Sequence, residues 1–331
     1  MTNSSQKLSE NLFKPDIPTE PTRNGYGEGL VEAGKKNENV VVLCADLTES
    51  TRSEAFKKEF PERFVEIGVA EQALATVASG MANYGKIPFI ASYAAFSPGR
   101  NWEQIRTTIC LNNVPVKIAG AHAGISVGPD GATHQMLEDI ALMRALPNMI
   151  VIVPADKEET RKAVMESAEN GKPTYIRFAR NATPMFTTSD TPFEIGKANL
   201  LWESKSPEVT IVAAGPLVYE ALLAAKELEE SGVGSEVINM HTIKPMDIQT
   251  LLSSIKKTNA VVTVEEHQIT GGLGGAVAEV LVKHMPVSME MVGMPDSFGE
   301  SGEPDELLTK YGMKAKNIIE AVKKVAARKS Y

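Results

Sequence analysis

The stretch AEQALATVASGMANYGKIPFIAS, residues 70–92, joins a helical pattern to a strand pattern. Its first part repeats small and apolar residues at helical spacing and ends at a glycine, and its second part is a short apolar run. Upstream, VVVLCAD (40–46) is a similar run that ends in an acid, as buried parallel strands often do. Strand, helix and strand in this order predict a parallel sheet that is covered by helices.

The same alternation continues downstream. VPVKIAGA (114–121) and MIVIVPAD (149–156) are predicted strands, and NWEQIRTTICLNN (101–113) and DKEETRKAVMESAENG (156–171) are predicted helices. These elements extend the first sheet and place helices on both of its faces.

A change in composition marks the expected domain boundary. Residues 181–207 are rich in Pro, Thr, Ser and Asn, and the strand–helix alternation restarts after them at EVTIVAAG. The predicted class is therefore α/β with two doubly wound domains, of which the second is smaller. The predicted limits are a flexible or loosely docked lead-in at 1–19, a first domain at 20–185, a linker at 186–195 and a second domain at 196–331.

Charge and cysteine content restrict the class of protein. A formal net charge of -8 argues against nucleic acid or an acidic membrane surface as the main partner. Cys44 and Cys110, the only cysteines of the sequence, both lie in apolar stretches and are expected to be buried thiols, which fits a cytoplasmic protein. No apolar run approaches the roughly 20 residues that a membrane-spanning helix needs.

Glu71 is the first candidate functional residue. It lies at the predicted start of a helix, among apolar neighbours, and ligands of open parallel sheets collect beyond the strand ends near such positions. Burial disfavours a charged carboxylate, whereas a helix N-terminus favours it. From this residue alone, two interpretations stay open: a functional acid, and an acid that only complements the helix dipole.

The second candidate is AHAGISVGPDGATHQMLED, residues 121–139, called the histidine loop below. It contains His122, Asp130 and His134 between several glycines. Glycines let the backbone turn sharply and approach a ligand, and His and Asp offer donors and acceptors to hydroxyl groups. A loop of this length is more often functional than a plain surface connection with capping residues.

These motifs together resemble a known family. VAEQALATVASGMA, the aromatic pair in SYAAF, the loop GPDGATHQ and the segment ADLTEST resemble the pyrimidine-binding domain of transketolases. Residues 196–320, including VVTVEEHQITGGLGG, resemble the transketolase C-terminal domain. The resemblance extends over nearly the whole chain from about residue 20, and it implies a mostly parallel first domain.

The resemblance implies a thiamine diphosphate site. Glu71 matches the family's catalytic glutamate, which bonds N1′ of the thiamin aminopyrimidine and favours its imino tautomer. Phe96 matches the aromatic residue that stacks on the pyrimidine, and Tyr93 is a neighbouring aromatic. Asp46 and Leu47 match positions that line the cofactor near its thiazolium ring.

It also implies a sugar-phosphate site. His122 and His134 match two histidines near the donor's carbonyl group, where they assist proton movements, and Asp130 matches an aspartate that binds a neighbouring hydroxyl. The residues that match the phosphate-binding set are Arg23, Ser50 and Arg180.

One part of a complete transketolase is missing from the sequence. The family binds Mg²⁺ and the diphosphate through a GDG motif followed by an Asn, and no GDG occurs here; PDG at 129–131 belongs to the histidine loop. The expectation is therefore no metal ligand in this chain and an N-terminal partner subunit that supplies the Mg²⁺ and diphosphate site. Family architecture implies a heterotetramer of two such pairs, α2β2.

The implied activity is transfer of a two-carbon ketol unit from a ketose phosphate to an aldose phosphate, as in the pentose phosphate pathway. One alternative is the beta subunit of a 2-oxo-acid dehydrogenase, but DGATHQ in the histidine loop favours ketose chemistry. Deoxyxylulose-phosphate synthase carries all three domains in one chain and is disfavoured. A non-catalytic α/β regulatory subunit is the alternative of another class, and the presence of Glu71 and the aromatic pair argues against it.

A further motif, GGLGG at 271–275, follows the predicted strand AVVTVEEH. It lacks the G-x-G-x-x-G spacing of a dinucleotide-binding turn, so close packing of a helix on the strand is the favoured interpretation. The acids of VEEH are expected to be structural.

Overall fold

The structure, a computed structural model, describes residues 1–328, and residues 329–331 of the predicted second domain lie outside the described part. The strands are β1 Thr19–Pro21, β2 Val40–Cys44, β3 Phe64–Glu66, β4 Ile87–Tyr93, β5 Lys117–Ala121, β6 Ile150–Ile152, β7 Thr174–Arg177, β8 Ala182–Pro184, β9 Asn199–Glu203, β10 Val209–Ala213, β11 Ser235–Asn239, β12 Thr242–Lys244, β13 Ala260–Gln268 and β14 Ser288–Met294. The α-helices are α1 Thr22–Lys36, α2 Glu54–Glu59, α3 Glu71–Asn83, α4 Trp102–Gln104, α5 Asp139–Arg144, α6 Lys157–Glu169, α7 Leu217–Glu230, α8 Ile248–Thr258, α9 Leu273–His284, α10 Pro304–Lys310 and α11 Ala315–Ala326.

The first sheet has seven strands in the order β12-β6-β7-β5-β4-β2-β3, and only the β12–β6 pair is antiparallel. Strand β2 shows why the sheet is buried. Val42 and Cys44 pack in an apolar cluster with residues of α1 and α6, whereas Val41 and Leu43 pack in a cluster with residues of α3. Both faces of the strand are thus covered by helices, which explains its continuous apolar run.

The second sheet has five strands in the order β14-β13-β10-β11-β9, with β9 antiparallel to β11 and the other pairs parallel. The prediction of a mostly parallel α/β fold is confirmed. One apolar cluster includes Ile118 and Val151 of the first sheet together with Val212 and Val261 of the second. The two sheets therefore share a continuous core.

Strand β12 connects the two parts in a way that composition did not predict. It follows β11 of the second sheet in sequence, yet Thr242 pairs with Ile152 at the edge of the first sheet. The segment that begins at residue 196 thus supplies an edge strand to the first sheet.

The lead-in at 1–19 is docked. The Asn3 amide donates a hydrogen bond to the Leu201 carbonyl at 2.9 Å, and Leu12 is buried. The Phe13 ring meets the Trp202 ring edge-on, with centroids 5.9 Å apart. Apolar side chains in a segment that otherwise looks polar explain why it is docked rather than free.

Some predicted elements differ in extent. The helix expected at 101–113 is the short α4 followed by a π-helical segment, Ile105–Cys110, and the strand expected at 149–156 covers only Ile150–Ile152. Cys44 and Cys110 are buried free thiols. Among the described residues, no helix has the length and apolar character needed to cross a membrane.

Candidate active site

The site forms where three neighbouring strands of the first sheet end. Strands β2, β4 and β5 are adjacent and parallel, and they end at Cys44, Tyr93 and Ala121. Ser50 and His122 follow β2 and β5 in sequence. Because parallel strands present their carboxyl ends at one edge, these segments converge there.

Glu71 begins α3 and is 1% exposed. Arg100 Nη1 donates to its Oε2 at 2.6 Å, and Asn101 Nδ2 donates to its backbone carbonyl at 2.9 Å. The Arg100 guanidinium also lies over the Phe96 ring, 4.8 Å from the centroid. Arg100 therefore contacts both the buried carboxylate and the aromatic side chain that the sequence assigned to the same site.

Four rings form what we call the aromatic cluster: Tyr93, Phe96, His122 and His134. Tyr93 stacks on His122 with centroids 3.9 Å apart, and Phe96 lies 6.2 Å from Tyr93 in a nearly parallel orientation. His134 meets Phe96 edge-on at 5.4 Å. The cluster joins the end of β4 to both ends of the histidine loop.

His122 is buried and has a positive φ of 55°. Burial, followed by the charges of Arg23, Arg180 and Arg52, lowers its pKa to about 3, so the imidazole is neutral near pH 7. Its Nδ1 is buried without a hydrogen-bond partner among residues 1–328. Because this nitrogen lies beside the arginine and aromatic side chains, it is available to complete its hydrogen bonding with a ligand.

Arg23, Arg52 and Arg180 form the arginine cluster beside His122. Arg23 Nη1 donates to the Ser50 carbonyl at 3.0 Å and lies 3.5 Å from His122 Nε2. Burial, then the charges of Arg52 and Arg180, lower the pKa of Arg23. Several guanidinium groups so close together favour an anionic ligand.

The histidine loop carries Asp130 and His134. Arg180 Nη1 donates to the Val127 carbonyl at 3.1 Å and lies 3.7 Å from Asp130 Oδ1. His134 Nδ1 is 2.9 Å from the Thr133 hydroxyl. Asp130 and His134 thus lie on the same loop as the carbonyl that orients Arg180.

Asp46 and Leu47 lie beyond the end of β2. Asp46 is exposed, and its amide donates to Glu66 Oε1 at 2.8 Å. Burial acts to raise the pKa of Glu66, but hydrogen bonds from Asp46, Gly68 and Thr48 outweigh it and hold the pKa below its usual range. Leu47 packs against the apolar cluster that includes β2. The described contacts do not connect Asp46 or Leu47 to the aromatic cluster.

The structure thus joins, through Arg100 and the two clusters, most of the predicted site residues: Glu71, Tyr93, Phe96, His122, His134, Arg23, Ser50, Asp130 and Arg180. Arg100, Arg52 and Glu66 were not predicted. A signal for Arg100 was available, because FSPGR places it four residues after Phe96. No motif or spacing in the sequence indicated that Arg52 or Glu66 would lie near the site.

The residues fit a flat, hydrogen-bonding heterocycle such as an aminopyrimidine. They offer a carboxylate at Glu71, aromatic faces at Tyr93 and Phe96, and a neutral imidazole with a free nitrogen at His122. Within the described range, 1–328, no group of three or more His, Cys, Asp and Glu side chains is arranged to hold a metal ion.

Comparison with known proteins identifies the family. Residues 20–185 match "Transketolase, pyrimidine binding domain", and residues 196–318 match "Transketolase, C-terminal domain". The chain belongs to the transketolase family. Its pyrimidine-binding domain implies thiamine diphosphate as the cofactor of this transketolase.

Three similar proteins narrow the type of transketolase. The chain is 47% identical over 309 residues to a "Putative transketolase C-terminal section" of Methanocaldococcus jannaschii, covering 91% of this chain and 96% of that protein. It is 40% identical to the "6-deoxy-6-sulfo-D-fructose transketolase subunit SqwH" of a Clostridium species (strain MSTE9), covering 93% and 95%. A solved structure described as "Split gene transketolase, inactive beta4 tetramer" superimposes with a TM-score of 0.87 at 47% identity, covering 94% of this chain and 99% of that one.

These relatives have the length of this chain rather than that of a complete transketolase. The protein is therefore the C-terminal subunit of a split transketolase, which implies an N-terminal partner subunit. The alternative of a 2-oxo-acid dehydrogenase beta subunit is not favoured by these similarities.

Proposed function

We propose that this subunit, with an N-terminal partner, transfers a two-carbon ketol unit from a ketose phosphate to an aldose phosphate. The observation that carries the proposal is the burial of the Glu71 carboxylate beside an aromatic cluster and an arginine cluster in one site. When bound, thiamine diphosphate supplies the nucleophilic carbon for such a transfer.

Glu71 is proposed to exchange a proton with N1′ of the aminopyrimidine. The burial of Glu71 excludes water from its carboxylate. Among residues 1–328, Arg100 donates a side-chain hydrogen bond to Oε2, and the other oxygen receives no such bond. Phe96 and Tyr93 offer flat faces on which a planar ring stacks. Arg100 is about half exposed, so solvent can hydrate its guanidinium when a ligand takes its place beside Glu71.

His122, His134 and Asp130 are proposed to bind the oxygens of the sugar. The neutral imidazole of His122 has a free Nδ1 that either donates to a carbonyl or accepts from a hydroxyl, depending on its tautomer. His134 reaches the same space from the other end of the histidine loop. Asp130 accepts hydrogen bonds from hydroxyl groups.

Arg23 and Arg180, together with Ser50, are proposed to bind the substrate phosphate. Two guanidinium groups close to a buried, neutral imidazole suit a terminal phosphate, and charge-assisted hydrogen bonds make this contact strong. The Clostridium relative is named for a sulfonated sugar, and a sulfonate would meet the same arginines. Pentose phosphates are the proposed substrates, and a parallel assay with a sulfonated ketose tests this choice.

The N-terminal partner is proposed to bind beside Glu71 and to supply the Mg²⁺ and diphosphate site. Helix α3 presents an exposed face there: Val77 is 41% exposed, and Val69 and Tyr84, which flank the helix, are 70% and 91% exposed. Exposed apolar side chains at both ends and in the middle of this helix support a protein interface along it. An α2β2 assembly in the cytoplasm is the proposed state.

The test is reconstitution. The purified chain alone, with Mg²⁺ and thiamine diphosphate, is expected to show no ketol transfer from xylulose 5-phosphate, whereas addition of a transketolase N-terminal section restores it. Pyruvate in place of the sugar is the control for oxo-acid chemistry. Full turnover by the chain alone, or a preference of the mixture for pyruvate, would contradict the proposal.

A further inference from the structure

The second domain reaches into the histidine loop through Glu266. This residue lies near the end of β13, is 3% exposed, and accepts a hydrogen bond from the Ser126 amide at 2.6 Å. Ser126 belongs to the 3₁₀ segment Ile125–Asp130, which ends at the proposed hydroxyl-binding aspartate. A buried acid of one domain therefore holds the backbone of a site loop in the other.

The contact is closely fitted. Gly124 has a φ of 94°, and a Cβ built on it would overlap the Glu266 carboxylate, so the loop approaches the acid only because this residue is glycine. Arg177 Nη2 donates to the Glu266 carbonyl at 2.7 Å. From the other side, Asn181 Nδ2 donates to the Ser126 carbonyl at 2.6 Å. Both peptide groups of Ser126 are thus held by side chains.

A second contact holds the far end of the loop. Gln135 Nε2 donates to the Glu300 carbonyl of the second domain at 2.8 Å and to the Ile125 carbonyl at 3.1 Å. A Cβ on Gly131 would lie 2.6 Å from the Ser301 hydroxyl oxygen. The segment after β14 therefore packs directly on the loop.

We propose that Glu266 is a positioning residue, through which the C-terminal domain fixes the histidine loop for the sugar phosphate. Movement of Ser126 would displace Val127, whose carbonyl orients Arg180, and Asp130, which lies 3.7 Å from Arg180. Glu71 is held by Arg100 and Asn101, on a different segment, so these contacts of the catalytic acid do not depend on Glu266. The inference rests on the proposed function.

Glu265 provides a matched control. It is the neighbouring residue, is 2% exposed, and accepts hydrogen bonds from the amides of Leu273 and Gly274 at 2.7 and 2.8 Å. Both donors belong to α9 of the second domain. Glu265→Leu therefore removes an equally buried acid without removing a hydrogen bond to the histidine loop.

The kinetic test uses the complex with an N-terminal section. Glu266→Leu is expected to raise the KM of the phosphorylated donor by ~10-fold while kcat changes much less, because one hydrogen bond from the loop to a buried carboxyl group is lost. Glu266→Gln, whose amide oxygen still accepts from Ser126, and Glu265→Leu should keep KM within about 3-fold of the unmodified complex. An unchanged KM in Glu266→Leu, or an equal rise in Glu265→Leu, overturns the proposal.

Amide hydrogen exchange on the chain alone tests the same contact without catalysis. Glu266→Leu should accelerate exchange in peptides covering 124–135, whereas Glu265→Leu should accelerate it at 271–276. If Glu266→Leu does not fold, Asn181→Ala releases Ser126 from its other side and should have the same effects on loop exchange and KM. Unchanged amide exchange in the histidine loop of the folded variants would refute the positioning role of Glu266. Failure of the unmodified complex to transfer ketol units would instead refute the proposed function.

Discussion

The carboxyl edges of the two sheets are built alike and used differently. In the first sheet, the residues after β4 and β5 form the aromatic cluster and lead to exposed groups such as Asp130. In the second sheet, Glu265, Glu266 and His267 at the end of β13 are all buried. One edge remains open for a ligand, whereas the other is covered by α9 and by the histidine loop of the first domain.

The difference shows how one architecture serves two purposes. Buried polar groups need hydrogen-bond partners, and Glu265 and Glu266 find theirs in backbone amides. At the open edge, His122 keeps a buried nitrogen without a partner among the described residues. Glu265 and Glu266 therefore act as supports, whereas the partnerless nitrogen of His122 lies beside the arginine cluster and is available to a ligand.

The largest expected effect is at the open edge. Glu71→Gln should lower kcat of the reconstituted enzyme by at least ~100-fold, because the amide cannot exchange a proton with the cofactor, and the shape of the side chain is kept. Steady-state ketol transfer and a thermal melt measure activity and folding. Glu103→Gln, an exposed acid on α4, is the control. Near-normal turnover of Glu71→Gln would remove this residue from the chemistry.

The next effect concerns the arginine cluster. Arg180→Ala should raise the KM of a phosphorylated donor by ~10- to 100-fold, since a charge-assisted contact to the phosphate is lost. The unphosphorylated ketose is the control substrate, and its kinetics should change little. A similar loss for both substrates would show that Arg180 supports the loop rather than the phosphate.

A pH test compares buried histidines of the two regions. Burial lowers the pKa of His241, next to β11, to about 3, as burial and the arginines do for His122. The unfolded chain binds these protons below about pH 6.5, so stability falls as the pH drops from 6.5 toward 3. Each histidine should account for ~2 kcal/mol of lost stability at pH 5.

Urea unfolding at pH 7 and pH 5 measures this loss. His122→Gln and His241→Gln should each make the decrease smaller by a similar amount, and only His122→Gln should alter donor KM. A pH dependence that neither variant changes would show that other groups cause the acid sensitivity.

The smallest effect concerns the docked lead-in. Phe13→Ala removes an aromatic contact with Trp202 and should lower the free energy of unfolding by ~1 kcal/mol. Chemical denaturation measures the change, and activity of the reconstituted enzyme should be unaffected because the Phe13 ring contacts Trp202 and Lys226, neither of which is a candidate site residue. An unaltered unfolding curve would mean that the docking of 1–19 adds no stability.

The sequence by itself determined the alternation of strands and helices, and through the family resemblance it predicted most residues of the candidate site. The continuous apolar run at 40–46 indicates a strand that is buried on both faces, and the helical spacing within 70–92 indicates a helix that is buried on one face. Both patterns are local information. The motifs around Glu71 and in the histidine loop carried the family resemblance, which the domain matches support.

Only the tertiary structure decided which groups meet. The Arg100–Glu71 pair, the return of β12 to the first sheet and the hydrogen bond from Ser126 to Glu266 join residues far apart in the chain, 140 positions in the last case. Hydrophobic periodicity in the sequence does not predict such contacts, because it indicates which face of a helix or strand is buried and not which residues cover that face. The support given by the second domain to the site loop therefore became visible only when both domains were placed together.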